Sequence, residues 1–545
     1  MNKKNNKFSK GNKFKKKDFS RNSRDFSDSP SVSANICDIS AQSKGKRFSL
    51  TGFIDRVVQT GGPTVFYVTD GTGTLALKAF VGPGERAHPE IEEGDAIQAA
   101  VTIEEFRDEL EGEVSHISKL SPEEAKELTK KIKDTQRKNA EIAPVDFLIE
   151  SPILDKLKER FVKAATEIRL AIFQNRPIII RHHNDTDGYS SGFTLEKAIL
   201  PLIEKQHGGG KSAWEFYTRS PCAAPFYEIE DSIKDTAHSL SRAAKFSNKM
   251  PLVIIADNGS SQEDLLGILQ GKVHGIDFVV VDHHFFEDDV ISQEVLVHIN
   301  PFLVNEDGAK FSAGMLCTEL ARFINPTVSL EQIPAMAGLA DRIDNKKAID
   351  DYLHHASKKG YSKELLNDIS TVIDFVSAKL RFMEAREYID VLFGEPMDKQ
   401  KALVKLFAPY IRNLEAKGLS MAKSAAIVEK IKSTTLQLLF IELVFPRGFY
   451  PKPGKCTGIL HDNIQLEKKL TSVVTIGVMP DAITIRATDG ANFSVHELIE
   501  FLNKKAPEVF AEGGGHKNAG AIKFVPNKQE EVLKLVREYI KEKSK

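Results

Sequence analysis

The sequence predicts an α/β protein in which a small all-β domain precedes a parallel sheet covered by helices. From residue 150 onward, short Ile- and Val-rich runs alternate with helix-length segments, as in "RPIIIRHH", "KMPLVIIADN", "IDFVVVDHH" and "VLVHIN". Such runs are typical of parallel strands that are buried on both faces. The stretch before them, residues 47–81, alternates β-branched and polar residues between glycine turns, which favours short antiparallel strands.

Length and composition indicate a multidomain, soluble globular protein. The chain has 545 residues, of which 41% are hydrophobic and 28% charged, and chains of this length usually divide into several domains. We expect a cytoplasmic protein without a membrane segment, because the sequence contains neither an 18-residue apolar stretch nor an apolar region in the N-terminal "MNKKNNKFSK". The four cysteines form no CxxC pair, which disfavours a disulfide framework or a thiolate zinc site.

The first 40 residues are predicted to be a disordered basic tail. Residues 1–28 carry eight lysines and two arginines against three aspartates. A segment with this charge and little apolar surface does not offset the entropy of ordering. Its cations would attract a phosphate backbone, and Phe8, Phe14, Phe19 and Phe26 would stack on unpaired bases. The alternative is a solubilising tail.

Residues 45–120 are expected to form about five short strands, and their glycine spacing resembles the OB-fold, a small barrel that often binds single-stranded nucleic acid. The candidate stacking residues are Phe53, Phe66, Tyr67 and Phe80. Alternation along the strands would place about half of such rings inside the barrel, so a barrel with another ligand is the competing interpretation. A helical linker, residues 121–149, follows.

Polar clusters come at the end of each aliphatic run. They are "HHNDTDG", "ADNGSS" and "VDHH", and a further aspartate occurs in "AMAGLADRIDN". Turn chemistry alone explains one such cluster, but the carboxyl ends of parallel strands meet at one edge of a sheet. Several carboxylates at one edge repel one another unless protons or cations intervene.

Carboxylates with a minority of imidazoles favour Mn²⁺ or Mg²⁺. Two such ions suit a phosphoryl displacement by activated water. No Ser or Cys nucleophile with a base partner is evident in the sequence, so direct attack by water is preferred over a covalent intermediate.

The four clusters, in this order, resemble the motifs of the DHH phosphoesterase superfamily over roughly residues 150–526. The two-residue spacing of "HND" is most similar to the RecJ branch. The resemblance implies that Asp257 bridges two metal ions, that Asp282 and His284 support the site, and that Asp344 competes with Asp341 as a ligand. The implied metal ligands are His183, Asp185, Asp187, Asp257, His283 and Asp341.

Two further segments are candidates for substrate binding. Ser312 and Gly314 open a helix whose N-terminus suits phosphate, although close helix packing explains small residues equally well. "GGGHKNAGAIKF" resembles the GGGH signature of the DHHA1 domain, a common partner of the DHH domain. The resemblance implies that His516 and Arg486 hold a nucleotide, whereas Arg486 could also be an ordinary exposed strand residue. The glycines of the signature are Gly513, Gly514 and Gly515.

The predicted architecture is an α/β protein with a parallel-sheet DHH domain and a smaller α/β DHHA1 domain, preceded by an OB-fold barrel. This domain order is similar to that of archaeal proteins. The predicted segments are a basic tail (1–40), the OB-fold domain (45–120), a helical linker (121–149), the DHH domain (150–345), a helical connector (346–436) and the DHHA1 domain (437–545).

A barrel of this type beside a phosphodiesterase core predicts a RecJ-like exonuclease that releases mononucleotides from single-stranded DNA or RNA, with a role in DNA repair. One alternative is a phosphodiesterase for short oligoribonucleotides, phosphoadenosine phosphate or cyclic dinucleotides. Another is a non-catalytic replication scaffold that binds replication or repair proteins, and pyrophosphate hydrolysis is disfavoured by the GGGH segment and the barrel.

Overall fold

The computed structural model describes residues 32–106, 109–143, 145–207, 209, 213–222, 224–246, 248–380, 386–446 and 448–544. Most of the predicted basic tail, residues 1–31 with its four phenylalanines, lies outside the described residues. No helix in the described part of the chain is both long enough and apolar enough to cross a membrane.

The N-terminal domain is a closed barrel of five strands, as predicted. Closure follows because β2 pairs with both β3 and β5, so the order β2-β3-β4-β6-β5 returns to β2. Leu50, Phe66 and Val101 fill its core. The strands of this sheet, including a short parallel addition, are β1 (Val32–Ser33), β2 (Arg47–Gln59), β3 (Thr64–Thr69), β4 (Thr74–Ala79), β5 (Ala96–Phe106) and β6 (Glu109–Lys119).

The barrel begins earlier than the predicted boundary. Residues 32–40, assigned from the sequence to the disordered tail, add β1 to the sheet and form a 3₁₀ turn over Ile36–Asp38. Ile36 is buried, and its N–H donates to Asp70 Oδ2 at 2.7 Å. Ile36, the partly buried Ile39 and a few backbone hydrogen bonds, including Cys37 N–H to Thr72 Oγ1 at 3.2 Å, hold this segment on the barrel. This signal is too short to stand out in a polar sequence.

The second sheet is entirely parallel, which confirms the α/β class. Its strand order is β11-β10-β9-β7-β8, and every residue of β7 and β9 is buried. The sequence did not predict β8, because "YTRSP" contains no aliphatic run. The strands are β7 (Ile178–His182), β8 (Tyr217–Pro221), β9 (Leu252–Ala256), β10 (Asp277–Val281) and β11 (Val297–Ile299).

Helices cover both faces of this sheet. The residues from 346 onward, predicted as a separate connector, instead share the core of the parallel-sheet domain: Tyr352 and Ile411 are buried in the same cluster as Ile178, and Phe393 stacks on Phe193 with ring centroids 4.4 Å apart. Their amphipathic pattern did not reveal which element they contact. The helices are α1 (Pro122–Ala140), α2 (Pro152–Phe173), α3 (Thr186–His207), α4 (Ala213–Phe216), α5 (Ile229–Phe246), α6 (Gln262–Val273), α7 (Ala313–Ile324), α8 (Ile333–Ala340), α9 (Lys346–Lys358), α10 (Lys363–Leu380), α11 (Arg386–Leu392) and α12 (Met397–Ala425).

The C-terminal domain is a smaller α/β unit that begins at Ile427 rather than at residue 437. Its sheet has the order β12-β13-β14-β15-β17-β16, and all pairings are antiparallel except β13 with β14. Its elements are β12 (Ile427–Ile431), β13 (Thr434–Phe440), α13 (Ile441–Val444), α14 (Pro453–Lys468), β14 (Val473–Val478), β15 (Ala482–Ala487), α15 (Val495–Lys505), β16 (Glu512–His516), β17 (Ala519–Lys523) and α16 (Gln529–Lys543).

The barrel packs against the amino edge of the parallel sheet. Asn175, which precedes β7, donates to Asp55 Oδ2 at 3.1 Å, and Lys249, which precedes β9, donates to Asp55 Oδ1 at 2.5 Å. Thr74 also donates to Asn175 Oδ1 at 3.0 Å. Because these contacts lie before the strands, the barrel sits at the opposite edge from the strand ends where ligands bind in such sheets.

This docking changes the set of candidate stacking residues. Phe66 is fully buried, so its prediction as a stacking residue is wrong. Tyr67 is half-buried, and the Arg56 guanidinium covers one face of its ring at 3.8 Å from the centroid. Phe53 is also half-buried, whereas Phe80 is 63% exposed. Alternation along β2 and β3 placed the rings on faces that the sequence alone does not distinguish.

Replacing Ile36 tests the earlier start of the barrel. Ile36→Ala should lower the free energy of unfolding of the barrel by about 2–4 kcal/mol, because it removes a buried anchor. The measurement is urea unfolding, with Val32→Ala as the control because Val32 is 63% exposed in the same segment. Equal effects of the two substitutions would contradict the anchoring role.

Candidate metal centre

The predicted ligands meet at the carboxyl edge of the parallel sheet. Pairing places His182 beside Ala256, and Ala256 beside Val281, at the ends of β7, β9 and β10. His183, Asp257 and the Asp282–His284 segment follow directly, so strand register alone brings three motifs side by side. Asp341 joins them from the residue that follows α8.

Asp257 lies between two groups of ligand atoms. Its Oδ2 is 3.5 Å from His183 Nδ1, which is 2.9 Å from Asp185 Oδ2. Its Oδ1 is 3.4 Å from His283 Nε2. Each oxygen of Asp257 thus faces a different histidine, the arrangement expected of a carboxylate that bridges two ions.

The second group is completed by two aspartates. His283 Nε2 lies 3.6 Å from Asp341 Oδ2 and 3.8 Å from Asp187 Oδ2. Asp344, the competing candidate, is not among the described residues that line the cleft, and its N–H instead donates to the Ala309 carbonyl at 2.8 Å. The structure therefore places Asp341, rather than Asp344, beside the other predicted ligands.

The donor set fits two divalent cations. The triads His183–Asp185–Asp257 and Asp187–Asp257–His283 each have ligand atoms within 4.8 Å of one another, and they share Asp257. Their donors are carboxylate oxygens with one imidazole per triad and no thiolate, which matches the preferences of Mn²⁺ and Mg²⁺. The left-handed backbone of Asp257, with φ at 61°, turns its carboxylate back toward the strand ends.

The electrostatics of the site show strong coupling between its acids and histidines. Burial would lower the pKa of His283, but Asp341, Asp257 and Asp187 raise it well above its usual value. Burial, opposed by His283 and reinforced by Asp257, raises the pKa of Asp341 to about 6. The pKa of Asp187 is likewise raised, first by burial and then by Asp257. A divalent cation would displace the protons that this cluster retains, so binding should release protons.

The N-terminus of α7 holds Asp187 rather than a substrate phosphate. The N–H groups of Ala313 and Gly314 donate to the two oxygens of Asp187 at 2.9 and 3.0 Å. Ser312 is buried and caps the helix by accepting from Met315 N–H at 3.4 Å. The prediction that Ser312 and Gly314 bind phosphate is therefore wrong, because the anion at this helix end is a protein carboxylate. A side chain at Gly314 would lie 2.8 Å from Asp187 Oδ1.

Asp282 fixes the orientation of His284. Its Oδ1 accepts from His284 Nδ1 at 2.8 Å and from the backbone N–H groups of His283 and His284 at 2.8 and 3.2 Å. Although burial opposes it, the charge of His284 holds the pKa of Asp282 well below its usual range. Nε2 of His284 is thereby left for a group in the cleft, as expected of the supporting role predicted for this pair.

A glycine makes room for the other histidine. The Gly308 carbonyl accepts from His283 Nδ1 at 3.2 Å, which directs Nε2 of His283 toward the aspartates. A Cβ at Gly308 would lie 1.8 Å from the His283 carbonyl oxygen, so no other residue fits there without moving the backbone. Nothing in the sequence indicated this contact, which joins segments far apart in the chain.

A buried hydrogen-bonded chain behind the site was also missed by the sequence analysis. Ser260 Oγ lies 2.9 Å from His298 Nε2 and accepts from Asn300 Nδ2 at 3.0 Å. Nδ1 of His298 lies 3.0 Å from Ser292 Oγ. The available signal was the position of "NGSS" and "HIN" at the ends of β9 and β11.

The C-terminal domain supplies the opposite wall of the cleft. The ring of His516 has its centroid 5.2 Å from those of both His283 and His284. Arg486 also lines this cleft, whose volume is about 570 Å³, as do Gly513, Gly514 and Gly515. The predicted substrate-binding residues of this domain therefore face the candidate metal ligands.

Aromatic and acidic residues that the sequence analysis did not select line the rest of the cleft. Phe226 approaches Gly514 so closely that a Cβ there would lie 3.3 Å from its ring. Phe285 packs on His496, with ring centroids 4.9 Å apart. The acidic lining residues that were not selected are Glu263, Asp264, Glu287, Asp288 and Glu500.

Comparison with known proteins gives two close relatives. No family model matches the chain. The uncharacterized protein MJ1198 of Methanocaldococcus jannaschii is 36% identical over 523 residues, which are 90% of this chain and 68% of that protein. A solved structure described as the DHH domain of a member of a family of ribosomal proteins is 35% identical, with a TM-score of 0.74, and covers 78% of this chain and 100% of that chain.

A weaker likeness is found to RecJ from Thermus thermophilus, solved in complex with Mn²⁺. It is 16% identical, has a TM-score of 0.49, and covers 74% of this chain and 56% of that chain. The first two likenesses both exceed 30% identity, and each covers at least 78% of this chain.

Removing the shared carboxylate should abolish paired metal binding. Asp257→Asn leaves both triads short of a charge, so we expect its Mn²⁺ affinity to fall by at least about a hundredfold. Isothermal titration calorimetry checks this, with Asp344→Asn as the matched control. An unchanged number of bound ions and affinity in Asp257→Asn would contradict the bridging position.

Acid should weaken the fold through His298. Burial, together with Arg160 and against Asp289 and Asp282, lowers the pKa of His298 to about 4, below the value of about 6.5 in an unfolded chain. As the pH falls from about 6.5 to about 4, the free energy of unfolding should therefore decrease by up to about 3 kcal/mol. Glutamine does not titrate, so the stability of His298→Gln relative to the wild type, measured by urea unfolding, should increase as the pH falls through this interval. A difference that does not change with pH would contradict the assignment.

Proposed function

The chain belongs to the family of DHH-domain proteins, and from this premise we propose that it is a metal-dependent phosphodiesterase that removes mononucleotides from single-stranded DNA or RNA. One observation carries the proposal: two histidine–aspartate triads share Asp257 and face Arg486 across one cleft. Cations on one wall and a guanidinium on the other suit a phosphate diester.

His183, Asp185, Asp187, Asp257, His283 and Asp341 would hold two divalent cations, Mn²⁺ or Mg²⁺. When bound, such cations neutralise phosphate charge and lower the pKa of a water molecule. Arg486 would bind and orient a phosphate oxygen, and His516 would position the phosphate above His283 and His284.

His284 would hold or transfer a proton at Nε2. Its Nδ1 is occupied by Asp282 at 2.8 Å and lies 4.0 Å from Asp257 Oδ1. The imidazole is therefore fixed beside Asp257, where it would accept a proton from water or donate one to the leaving oxygen. The Asp282 carboxylate stabilises the protonated form, since it raises the pKa of His284 against the effect of burial.

The barrel would bind the strand outside the cleft. Phe80 is exposed and Phe53 half-buried, so these two remain candidates for stacking on bases. Their domain packs at the amino edge of the sheet, so a strand held there must pass around the catalytic domain to reach the metal ligands. Association with replication or repair proteins, a role in DNA repair and the cytoplasmic location stay predictions.

A second candidate function is hydrolysis of short oligonucleotides alone. It is favoured by two salt bridges that join the catalytic and C-terminal domains: Arg342 to Asp462 at 3.0 Å and Lys523 to Glu228 at 2.9 Å. Together with the distant barrel, these contacts favour a substrate that fits between the two domains.

The two functions differ in their dependence on substrate length. We expect the full chain to shorten end-labelled DNA or RNA of about 40 nucleotides stepwise with Mn²⁺ or Mg²⁺, and about 5 nucleotides also to be cleaved, since one OB barrel spans ~4–16 nucleotides. Asp257→Ala should abolish both activities. Phe80→Ala should slow the long substrate more than the short one.

Cleavage of the short substrate alone would replace the exonuclease with the oligonucleotide phosphodiesterase. Binding of single strands without cleavage by the wild type in either metal would favour a scaffold. Phe66→Leu serves as the control for Phe80→Ala because Phe66 is buried in the barrel core, and it should leave the ratio of the two rates unchanged.

A further inference from the structure

Helix α5 is oriented with its polar residues inward and its aliphatic residues outward. Ile229, Ile233 and Leu240 are exposed on its outer face. This is the reverse of the usual orientation of a helix on a sheet. The side chains that it buries are Asp231, Ser232, Asp235, Thr236 and Ser239.

The buried polar face of α5 pairs with the guanidinium group of Arg181 inside the protein. Arg181, on β7, donates through Nε to Asp235 Oδ2 at 3.0 Å and lies 3.5 Å from Asp231 Oδ1. Tyr227 also donates to Asp235 Oδ2 at 3.1 Å. Rotating the helix to bury its aliphatic residues would leave the buried guanidinium unpaired, which costs several kcal/mol. The outward position of the aliphatic face is therefore fixed.

Helix α6 extends this apolar surface. Leu266, Leu269 and Val273 recur at i, i+3 and i+7 and are all exposed. The two helices pack side by side, since Ser232 Oγ lies 2.6 Å from the Gly267 carbonyl oxygen and 2.6 Å from Gln270 Oε1. The resulting α5–α6 strip consists of six aliphatic residues that are 36–83% exposed: Ile229, Ile233, Leu240, Leu266, Leu269 and Val273.

The charges along the strip are arranged by helix end. Glu230 lies in the first turn of α5 and Lys245 in its last turn. Helix α6 likewise begins with Glu263, which also lines the cleft, and ends with Lys272, which is paired with Glu294 at 2.6 Å. The two helices are parallel to each other, because each runs from the carboxyl end of one parallel strand to the amino end of another. A second copy whose twofold axis lies in the plane of the strip and perpendicular to both helices would place its helices antiparallel to these, so acidic starts would face basic ends and the helix dipoles would oppose.

We propose that the α5–α6 strip is the interface of a twofold dimer of this chain. Exposed aliphatic side chains collected in one strip mark a protein interface, and the opposite charges at its two ends make the strip complementary to itself. Strand β2 of the barrel also contacts α5, but the six aliphatic residues of the strip stay exposed. The proposal is independent of the enzymatic activity.

The test is the molar mass of the full chain by light scattering and sedimentation velocity over a wide concentration range. We expect a monomer–dimer equilibrium whose dissociation constant rises about thirtyfold or more in Ile233→Glu and in Leu269→Glu, since these side chains occupy the centre of the strip. Leu466→Glu is the control, because Leu466 is 78% exposed on α14, away from the strip. Circular dichroism establishes that each variant is folded.

Charge exchange tests the twofold arrangement. Glu230→Lys and Lys245→Glu should each weaken the dimer, and the double variant should restore it, because each dimer contains both exchanged pairs. A wild type that is monomeric at every concentration overturns the proposal, and a partner protein bound through the strip would then replace the second copy. A dimer that survives Ile233→Glu, or a double variant no stronger than the single ones, also overturns it.

Discussion

Repulsion among carboxylates at one edge of the parallel sheet is the constraint on which the catalytic domain depends. Asp185, Asp187, Asp257 and Asp341 are each within 4 Å of a histidine nitrogen, His183 or His283. In a buried site such like charges are tolerated only when protons, donors or cations balance them. The raised pKa values of Asp187 and Asp341 show that the imidazoles alone do not provide this balance, and this electrostatic demand supports a pair of divalent cations.

Backbone groups around the site stabilise the charges of its carboxylates and fix the orientation of its side chains. The α7 N-terminus donates to Asp187, and the backbone of the DHH segment donates to Asp282. The Gly308 carbonyl accepts a hydrogen bond from Nδ1 of His283, and Asp257 has a left-handed backbone conformation. These are backbone contributions, so the ligands are held by rigid strand ends and turns rather than by flexible side chains.

The domain arrangement separates chemistry from any binding by the barrel. The C-terminal domain brings His516 over the metal ligands, while the barrel packs on the amino edge of the same sheet through Asp55 and Asn175. The barrel and the cleft are therefore separated by the length of the β-strands. Only a long strand can contact the barrel and the cleft together. Substrate length is therefore the property that distinguishes the two candidate functions.

The sequence by itself determined the parallel sheet, the five-stranded barrel and the polar clusters at the strand ends, because strand runs and the residues that follow them are local features. The choice of six candidate ligands within those clusters came from the resemblance to the DHH superfamily. The sequence left Asp341 and Asp344 undecided, assigned Ser312 and Gly314 to phosphate, and counted Phe66 as a stacking ring. Only the tertiary structure decided these points, as it decided that α5 turns its aliphatic face outward to satisfy Arg181. Periodicity shows which side chains share a face, but the partner of that face is set by contacts between distant segments.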